Sequence, residues 1–245
     1  MYKICMLTDL HIDEEGEHPL GIDTRSNFIK VLHTSVGSGP DLIVLAGDLC
    51  NRVGDEQIYS WVKTQMDATG IPYHCIAGNH DDPRLMCDIF YPAKNTSCDE
   101  LYYAHHEPFS PLIFLDSSEG SMTETQYQWL SHEISSGGIC VTIFMHHPPI
   151  LAGCKHVEPT YAFTQTERFQ LLCGAFPDKS IAIFCGHYHL ERTVQMKNQH
   201  VYITPSTFIQ IHPDFEEFRP QNDLIGYREI LINEDKMITN VIYVT

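Results

Sequence analysis

The stretch Lys3-Ile4-Cys5-Met6-Leu7-Thr8-Asp9-Leu10-His11 sets a short apolar run directly against an aspartate and a histidine. A run of this length, without polar alternation, suits a strand buried on both faces. The same construction recurs down the chain. Ile43-Val44-Leu45-Ala46-Gly47 leads into Asp48, and His74-Cys75-Ile76-Ala77-Gly78 leads into Asn79-His80-Asp81. Val141-Thr142-Ile143-Phe144-Met145 leads into His146, and Ile181-Ala182-Ile183-Phe184-Cys185-Gly186 leads into His187-Tyr188-His189. In open α/β sheets, ligands sit beyond the carboxyl ends of the strands. Parallel neighbours would therefore carry all of these side chains into one crevice. Residues i and i+2 of an extended segment share a face, which pairs Asp9 with His11 and His187 with His189. Gly47, Gly78 and Gly186 each precede one of these polar residues, where the chain is expected to turn tightly.

Between the apolar runs lie segments with helical spacing. Phe28, Val31, Leu32 and Ser35 follow a 3-4 pattern, as do Ile58, Trp61, Val62, Gln65 and Met66. Ser121 with Glu124, and Thr164 with Glu167, read as capping boxes that open two more helices. This alternation of strand and helix predicts an α/β sheet architecture. After residue 199 the pattern changes to His200 to Ile203, Gly226 to Ile232 and Met237 to Val244, with the turn Asn233-Glu234-Asp235-Lys236 between the last two. That spacing predicts antiparallel strands from about residue 200, so the sheet system is mixed. No repeat, low-complexity tract or long linker divides the chain, and residues 1–245 read as one domain. Arg84 to Ser110 reads as an irregular excursion containing Cys87 and Cys98.

Composition narrows the class of function. Among 245 residues, 15 Lys+Arg against 32 Asp+Glu leave a formal charge of −17, which repels phosphate backbones and anionic membranes. A 43% hydrophobic content excludes a disordered chain. No apolar stretch is long enough to span a bilayer, and the start lacks the pattern of a signal peptide, so a cytoplasmic protein is expected. Nine cysteines without a C-x-x-C pair read as small buried hydrophobes in a reducing compartment. Histidine is the anomaly, since its 15 copies equal Lys and Arg together.

The residues at the strand ends form a donor set of two aspartates, one asparagine and four histidines: Asp9, His11, Asp48, Asn79, His146, His187 and His189. Mixed oxygen and nitrogen donors without thiolate suit Zn, Mn or Fe, and seven donors suit two ions that share a bridging carboxylate. A pair of divalent ions clamps a phosphoryl group and generates a nucleophile from water at neutral pH, which points to phosphoester hydrolysis. Two carboxylates against two dications leave a local charge of about +2, enough to attract a phosphate to an otherwise anionic molecule.

Asp9-Leu10-His11, Gly47-Asp48, Gly78-Asn79-His80-Asp81, His146-His147 and Gly186-His187-Tyr188-His189, in this order, resemble the full signature of the calcineurin-like metallophosphoesterases. Thr204-Pro205-Ser206-Thr207-Phe208-Ile209-Gln210 and Gly226-Tyr227-Arg228 resemble one branch, the bacterial class III 3',5'-cyclic nucleotide phosphodiesterases that act on cyclic AMP. The resemblance implies two mixed β-sheets packed as a sandwich and flanked by helices. It assigns Asp9, His11 and His189 to one metal and Asn79, His146 and His187 to the other, with Asp48 bridging; iron with manganese or zinc are the implied ions. A hydroxide between the metals would attack phosphorus. Asn79 and His80 would steady the growing charge, and His80 would protonate the leaving oxygen as general acid. Asp81 would orient that imidazole or hold its loop. Substrate contacts then fall on His11, Asp48, Asn79, His80 and His189. The implied partner is a small phosphodiester, with no nucleic acid and no membrane, and a homodimer is one arrangement the branch allows.

Plainer readings apply elsewhere. The remaining histidines carry no metal-ligand pattern and read as surface or structural residues, with His147 set apart by its place beside His146 and before Pro148-Pro149. Ile150 to Phe163 reads equally as one wall of a substrate pocket and as a surface loop. Phe208, Phe215 and Phe218 read as core, base-packing or interface residues. Competing functions are hydrolysis of glycerophosphodiesters or other small phosphoesters, a membrane-lipid pyrophosphatase, disfavoured by His80 standing where that relative usually has arginine, and a noncatalytic scaffold on the same fold.

Overall fold

The computed structural model describes residues 1–91, 99–107 and 110–244. Along the first half run β1 (Tyr2–Leu7), α1 (Thr24–Gly37), β2 (Leu42–Ala46), α2 (Glu56–Thr69), β3 (Tyr73–Ile76), α3 (Pro83–Phe90), β4 (Tyr103–His106) and β5 (Pro111–Phe114). There follow α4 (Glu124–Ser136), β6 (Cys140–Phe144), α5 (Glu158–Tyr161), α6 (Thr166–Gly174), β7 (Ser180–Cys185), β8 (Arg192–Met196) and β9 (Gln199–Ile203). The chain ends with β10 (Gln210–Ile211), β11 (Pro220–Asn222), β12 (Ile225–Ile232) and β13 (Met237–Val244).

Two mixed sheets result. The first has the order β13-β12-β1-β2-β3, with β1, β2 and β3 parallel and β12 and β13 antiparallel to their neighbours. The second has the order β4-β5-β6-β7-β9-β8, parallel from β5 to β9 with antiparallel strands at both edges. Ile4, Met6, Val44 and Ile76 of the first sheet meet Leu112, Phe114, Phe144 and Phe184 of the second in a core between the sheets. The alternate residues face outward. Cys5, Leu7, Ile43 and Leu45 pack under α1 and α2, while Val141, Ile143, Ile181 and Ile183 pack under α4 and α6. Burial on both faces is the reason that the central strands carry unbroken apolar runs.

A row of rings runs across the second sheet. Tyr103, Phe114, Phe144, Phe184 and Tyr202 stand in cross-strand register, with successive centroids 4.8, 5.2, 5.5 and 5.1 Å apart. The Arg228 guanidinium lies 5.6 Å from the last ring, buried, and donates to Thr204 Oγ1, Thr239 Oγ1 and the Ile203 carbonyl. It thereby ties the hairpin of the first sheet to the end of β9 in the second.

Several sequence expectations change on folding. Neither capping box forms. Thr123 caps α4 by accepting from the Gln126 amide, while Thr164 Oγ1 donates to the Gly120 carbonyl and Gln165 Oε1 accepts from the Met122 amide. The first helix is capped two residues later than the box implies, and in the second a tertiary contact has taken the Thr164 hydroxyl. The excursion from Arg84 contains α3, whose Asp82 cap accepts from the amides of Arg84 and Leu85, and the edge strand β4; Cys98 lies outside the described residues. Among the cysteines, Cys5, Cys50, Cys75, Cys140, Cys154, Cys173 and Cys185 are free thiols, whereas Cys87 is disulfide-bonded. The strand at His200 pairs parallel with β7 on one side and antiparallel with β8 on the other. No helix among the described residues is long and apolar enough to cross a membrane.

Phe144 is fully buried at the middle of the ring row. Phe144→Ala is expected to cost about 3–5 kcal/mol in guanidinium unfolding, from lost transfer free energy plus a cavity that the flanking rings cannot close.

Candidate metal centre

The predicted polar residues meet where the carboxyl ends of both sheets face each other, but not by the extended geometry expected for them. Asp9, His11, Asp48, His187 and His189 all have left-handed backbone, with φ of 53°, 46°, 51°, 69° and 49°. The pairs Asp9/His11 and His187/His189 therefore converge because the chain coils tightly after each strand, rather than because strand residues alternate. Each such residue costs roughly 1–2 kcal/mol relative to ordinary backbone. Tertiary bonds hold the conformation. The amides of Asp9 and His11 donate to the carbonyls of Gly47 and Asp48 at 3.0 Å each, and the His187 amide donates across the inter-sheet seam to the Asp9 carboxylate at 3.0 and 3.1 Å. Among the three glycines expected to turn, only Gly47 has positive φ, at 93°. Gly78 and Gly186 are needed for space, since a Cβ there would collide with Asp48 and with Thr8 and Asp9 respectively.

Two groups of donor atoms share one carboxylate. Asp9, His11, Asp48 and His189 present atoms within 4.8 Å of one another, and so do Asp48, His146 and His187. Asp48 belongs to both. His146 Nε2 stands 3.3 Å from Asp48 Oδ2 and 3.8 Å from Asp9 Oδ1, and His189 Nε2 stands 3.3 Å from Asp9 Oδ1. The outer ring nitrogens are anchored. His146 Nδ1 and His189 Nδ1 donate to the carbonyls of Ala46 and Ile209, which frees each Nε2, while His187 Nε2 donates to the Tyr161 carbonyl, which frees Nδ1.

The third strand end supplies the rim. Asn79 is exposed and lines, with His11, Asp48, His80, His187 and His189, a cavity of about 370 Å³. The His80 amide donates to Asp48 Oδ1 at 2.9 Å, and its Nδ1 donates to the Arg52 carbonyl at 3.2 Å. Asp81 faces elsewhere. Its carboxylate accepts from the amides of Leu49, Cys50 and Gly78 and from the Tyr59 hydroxyl. It clamps the loop after β2 to the loop after β3, and the His80 ring takes its orientation from Arg52 instead.

Burial and charge act on these groups together. Burial, then the neighbouring His189, push His11 down to about 3, and burial, then His146, push His187 down to about 4. Both rings are neutral at pH 7 and offer lone pairs. Burial also opposes charge on His146, but Asp48 and Asp9 outweigh it and lift this ring to about 9. Burial opposes charge on Asp48, but His146, then His11 and His80, together outweigh it and hold this carboxyl well below the usual carboxylate range. Burial, then the Asp48 charge, raise Asp81 to about 6.

These residues fit a pair of cations. His146 Nε2 is fully buried, 3.3 Å from Asp48 Oδ2, and makes no hydrogen bond. His11 Nε2 and His189 Nε2 share a hydrogen bond at 3.0 Å, so both nitrogens point into the same space beside Asp9 and Asp48. The donors are oxygen and nitrogen throughout, as borderline divalent metals require. A family model described as calcineurin-like phosphoesterase matches residues 2–191. The chain belongs to this family. It is 31% identical to a probable cyclic nucleotide phosphodiesterase of Fibrobacter succinogenes over 98% of this chain and 93% of that one. It is 30% identical to the glycerophosphodiester phosphodiesterase GpdQ of Enterobacter lignolyticus over 90% and 83% of the two chains. A dimetal phosphatase from Danio rerio shares the fold at TM-score 0.72 and 14% identity, covering 100% of this chain and 98% of that one. As a member of the calcineurin-like phosphoesterases, the protein is a metal-dependent phosphodiesterase with a site built for two ions.

The sequence reading gave no role to several residues that shape this phosphoesterase site. Ser206 Oγ donates to the Asp9 carbonyl at 2.9 Å and accepts from the Phe208 amide, so it braces the first left-handed residue. Buried His147 lays its ring 4.2 Å from that of His187 and bonds Ser117 Oγ through Nδ1. Both sit in segments already quoted for the resemblance, but hydroxyl bracing and ring contact leave no spacing signature.

Asp48 and Asp9 lift the His146 ring to about 9 against its burial, and a ring nitrogen that takes up a metal must first give up its proton. Metal uptake at pH 7 is therefore expected to release about one proton from this ring, and affinity should rise with pH up to about 9. Calorimetric titration of metal into chelator-stripped protein, in buffers of different ionisation enthalpy, reads that proton directly; no release at pH 7 would contradict the charged ring.

Proposed function

We propose that the protein hydrolyses 3',5'-cyclic nucleotides, cyclic AMP foremost, to the 5'-monophosphate. The observation that carries this reading is Asp48, shared by two buried donor groups at the floor of a cavity whose rim bears His80 and Asn79. Asp9, His11, Asp48 and His189 would hold one ion, and Asp48, Asn79, His146 and His187 the other; iron paired with manganese or zinc are the ions to test first. When bound, such a pair supplies Lewis-acid stabilisation of the phosphate and an activated water at neutral pH.

The chain's own groups do the rest. Asn79 is exposed at the rim, where its amide would donate to a phosphoryl oxygen. The His80 ring is edge-on to His11, with centroids 5.0 Å apart, and its Nδ1–H is committed to the Arg52 carbonyl. Nε2 is thus the nitrogen able to hand a proton to the departing ribose 3'-oxygen. Asp81 keeps the His80 loop registered against the Asp48 loop. The likeness to a probable cyclic nucleotide phosphodiesterase supports this substrate class, and the segments 204–210 and 226–228 support cyclic AMP by their resemblance to that branch. The similar identity to a glycerophosphodiester phosphodiesterase supports a second reading, hydrolysis of a glycerophosphodiester at the same residues.

A panel of cyclic AMP, cyclic GMP and glycerophosphodiesters, assayed with metal-replete protein, tests the choice; preference for a glycerophosphodiester over every cyclic nucleotide overturns the first reading. Chelation and Asp48→Ala should abolish turnover. His80→Ala should lower kcat roughly 10²- to 10⁴-fold with metal content retained, and an unchanged kcat removes His80 from the proton transfer.

A further inference from the structure

The cavity continues outward past the candidate ligands, and its outer wall is built from two segments, residues 156–161 and 208–218. Phe208 lies deepest, buried, with its ring 5.4 Å from that of His11. Farther out, Phe218 is 45% exposed, and the His156 ring stands 5.7 Å from it at 60°. Tyr161, 54% exposed, lines the same space. Large rings left in water beside a polar site mark a surface that gains by being covered.

The wall is fixed in place. The Lys155 amide donates to the Pro213 carbonyl at 2.9 Å and His156 Nδ1 donates to the Glu216 carbonyl at 3.0 Å, which fastens one segment to the other. The wall is also fastened to the metal centre, because His187 Nε2 and His189 Nδ1 donate to the carbonyls of Tyr161 and Ile209. Its distance from the phosphate position is therefore set by the same bonds that orient two ligands. On the two wall segments, the side-chain hydrogen-bonding groups among the described lining residues are those of His156 and Tyr161. Asp48 is the one carboxylate among the described residues lining the cavity, and the Asn51 amide nitrogen already donates to Asp13. What the wall offers is ring face and aliphatic surface.

We propose that this wall holds the nucleobase of the substrate, with Phe218 and His156 against the face of the base and Phe208 packed inside them. The inference rests on the cyclic nucleotide reading and deepens it. A planar base gains stacking on such rings whichever base it is, and a glycerol or ethanolamine substituent has no π-face to offer. The wall thus selects nucleotides from other diesters of equal charge at the phosphate. Because it contacts the part of the substrate remote from the reacting atoms, its contribution falls on KM.

The test compares kcat/KM for cyclic AMP with that for glycerophosphoethanolamine in wild type, Phe218→Leu, His156→Leu and Phe218→Tyr, each with metal content measured. Phe218 is exposed enough that its substitution leaves the core intact. The expected result is a ratio about tenfold lower in Phe218→Leu, carried by KM, and restored in Phe218→Tyr, which keeps the ring. A wild type that turns over cyclic AMP with a ratio unmoved in both leucine variants overturns the wall assignment and leaves the cyclic nucleotide reading standing. A wild type inert on every cyclic nucleotide overturns both.

Discussion

The site depends on a backbone constraint. Five polar residues in left-handed conformation turn the chain inward just beyond the carboxyl ends of β1, β2 and β7. Their combined strain is on the order of several kcal/mol, a large share of the net stability of an ordinary domain. Such strain persists only where surrounding structure over-determines it. Here that structure is the seam between two sheets, with the His187 amide on the Asp9 carboxylate, the Ser206 hydroxyl on the Asp9 carbonyl and the His146 ring on the Ala46 carbonyl. Each of these bonds joins separate strand ends, so the sandwich must assemble before the ligands can be held.

The electrostatics follow from the same burial. Two carboxylates buried among four imidazoles cannot remain charged without a nearby positive partner. His146 takes that part, lifted to about 9 against its own desolvation, while burial pushes His11 and His187 the other way. His146 Nε2 is buried without a hydrogen bond, whereas His11 Nε2 and His189 Nε2 share one at 3.0 Å. Asp81, outside the donor set, does a mechanical job: four donors on one carboxylate lock the loops that carry Asp48 and His80.

How much was legible depended on whether a feature is local. The strands around Ile4, Val44, Ile143 and Ile183 could be read because burial on both faces writes itself into an unbroken apolar run. The candidate donors were legible because each directly follows such a run. Features decided by distant partners were not. Ser121 and Thr164 have the right neighbours for capping boxes, yet Thr123 took one cap and Gly120 took the other hydroxyl. The pairing of Asp9 with His11 came out right for a reason the structure replaces, since left-handed coiling rather than extended alternation brings them together. Gly186 looked like a turn residue and is a spacer, because only a missing Cβ leaves room for Thr8 and Asp9. The helix α3 had a local signal in Asp82-Pro83 that an irregular reading of the excursion passed over.

By itself the sequence determined the chemistry available to this protein. Oxygen and nitrogen donors at successive strand ends, in a chain too acidic to hold an anion with its lysines and arginines, leave bound cations as the means of gripping a phosphate. Tertiary structure alone decided how those donors are shared between two groups, which ring nitrogen each histidine presents, and which aromatic side chains stand beside the phosphate position. Those are matters of angle and distance between segments far apart in the chain, and residue spacing along a polypeptide carries no record of either.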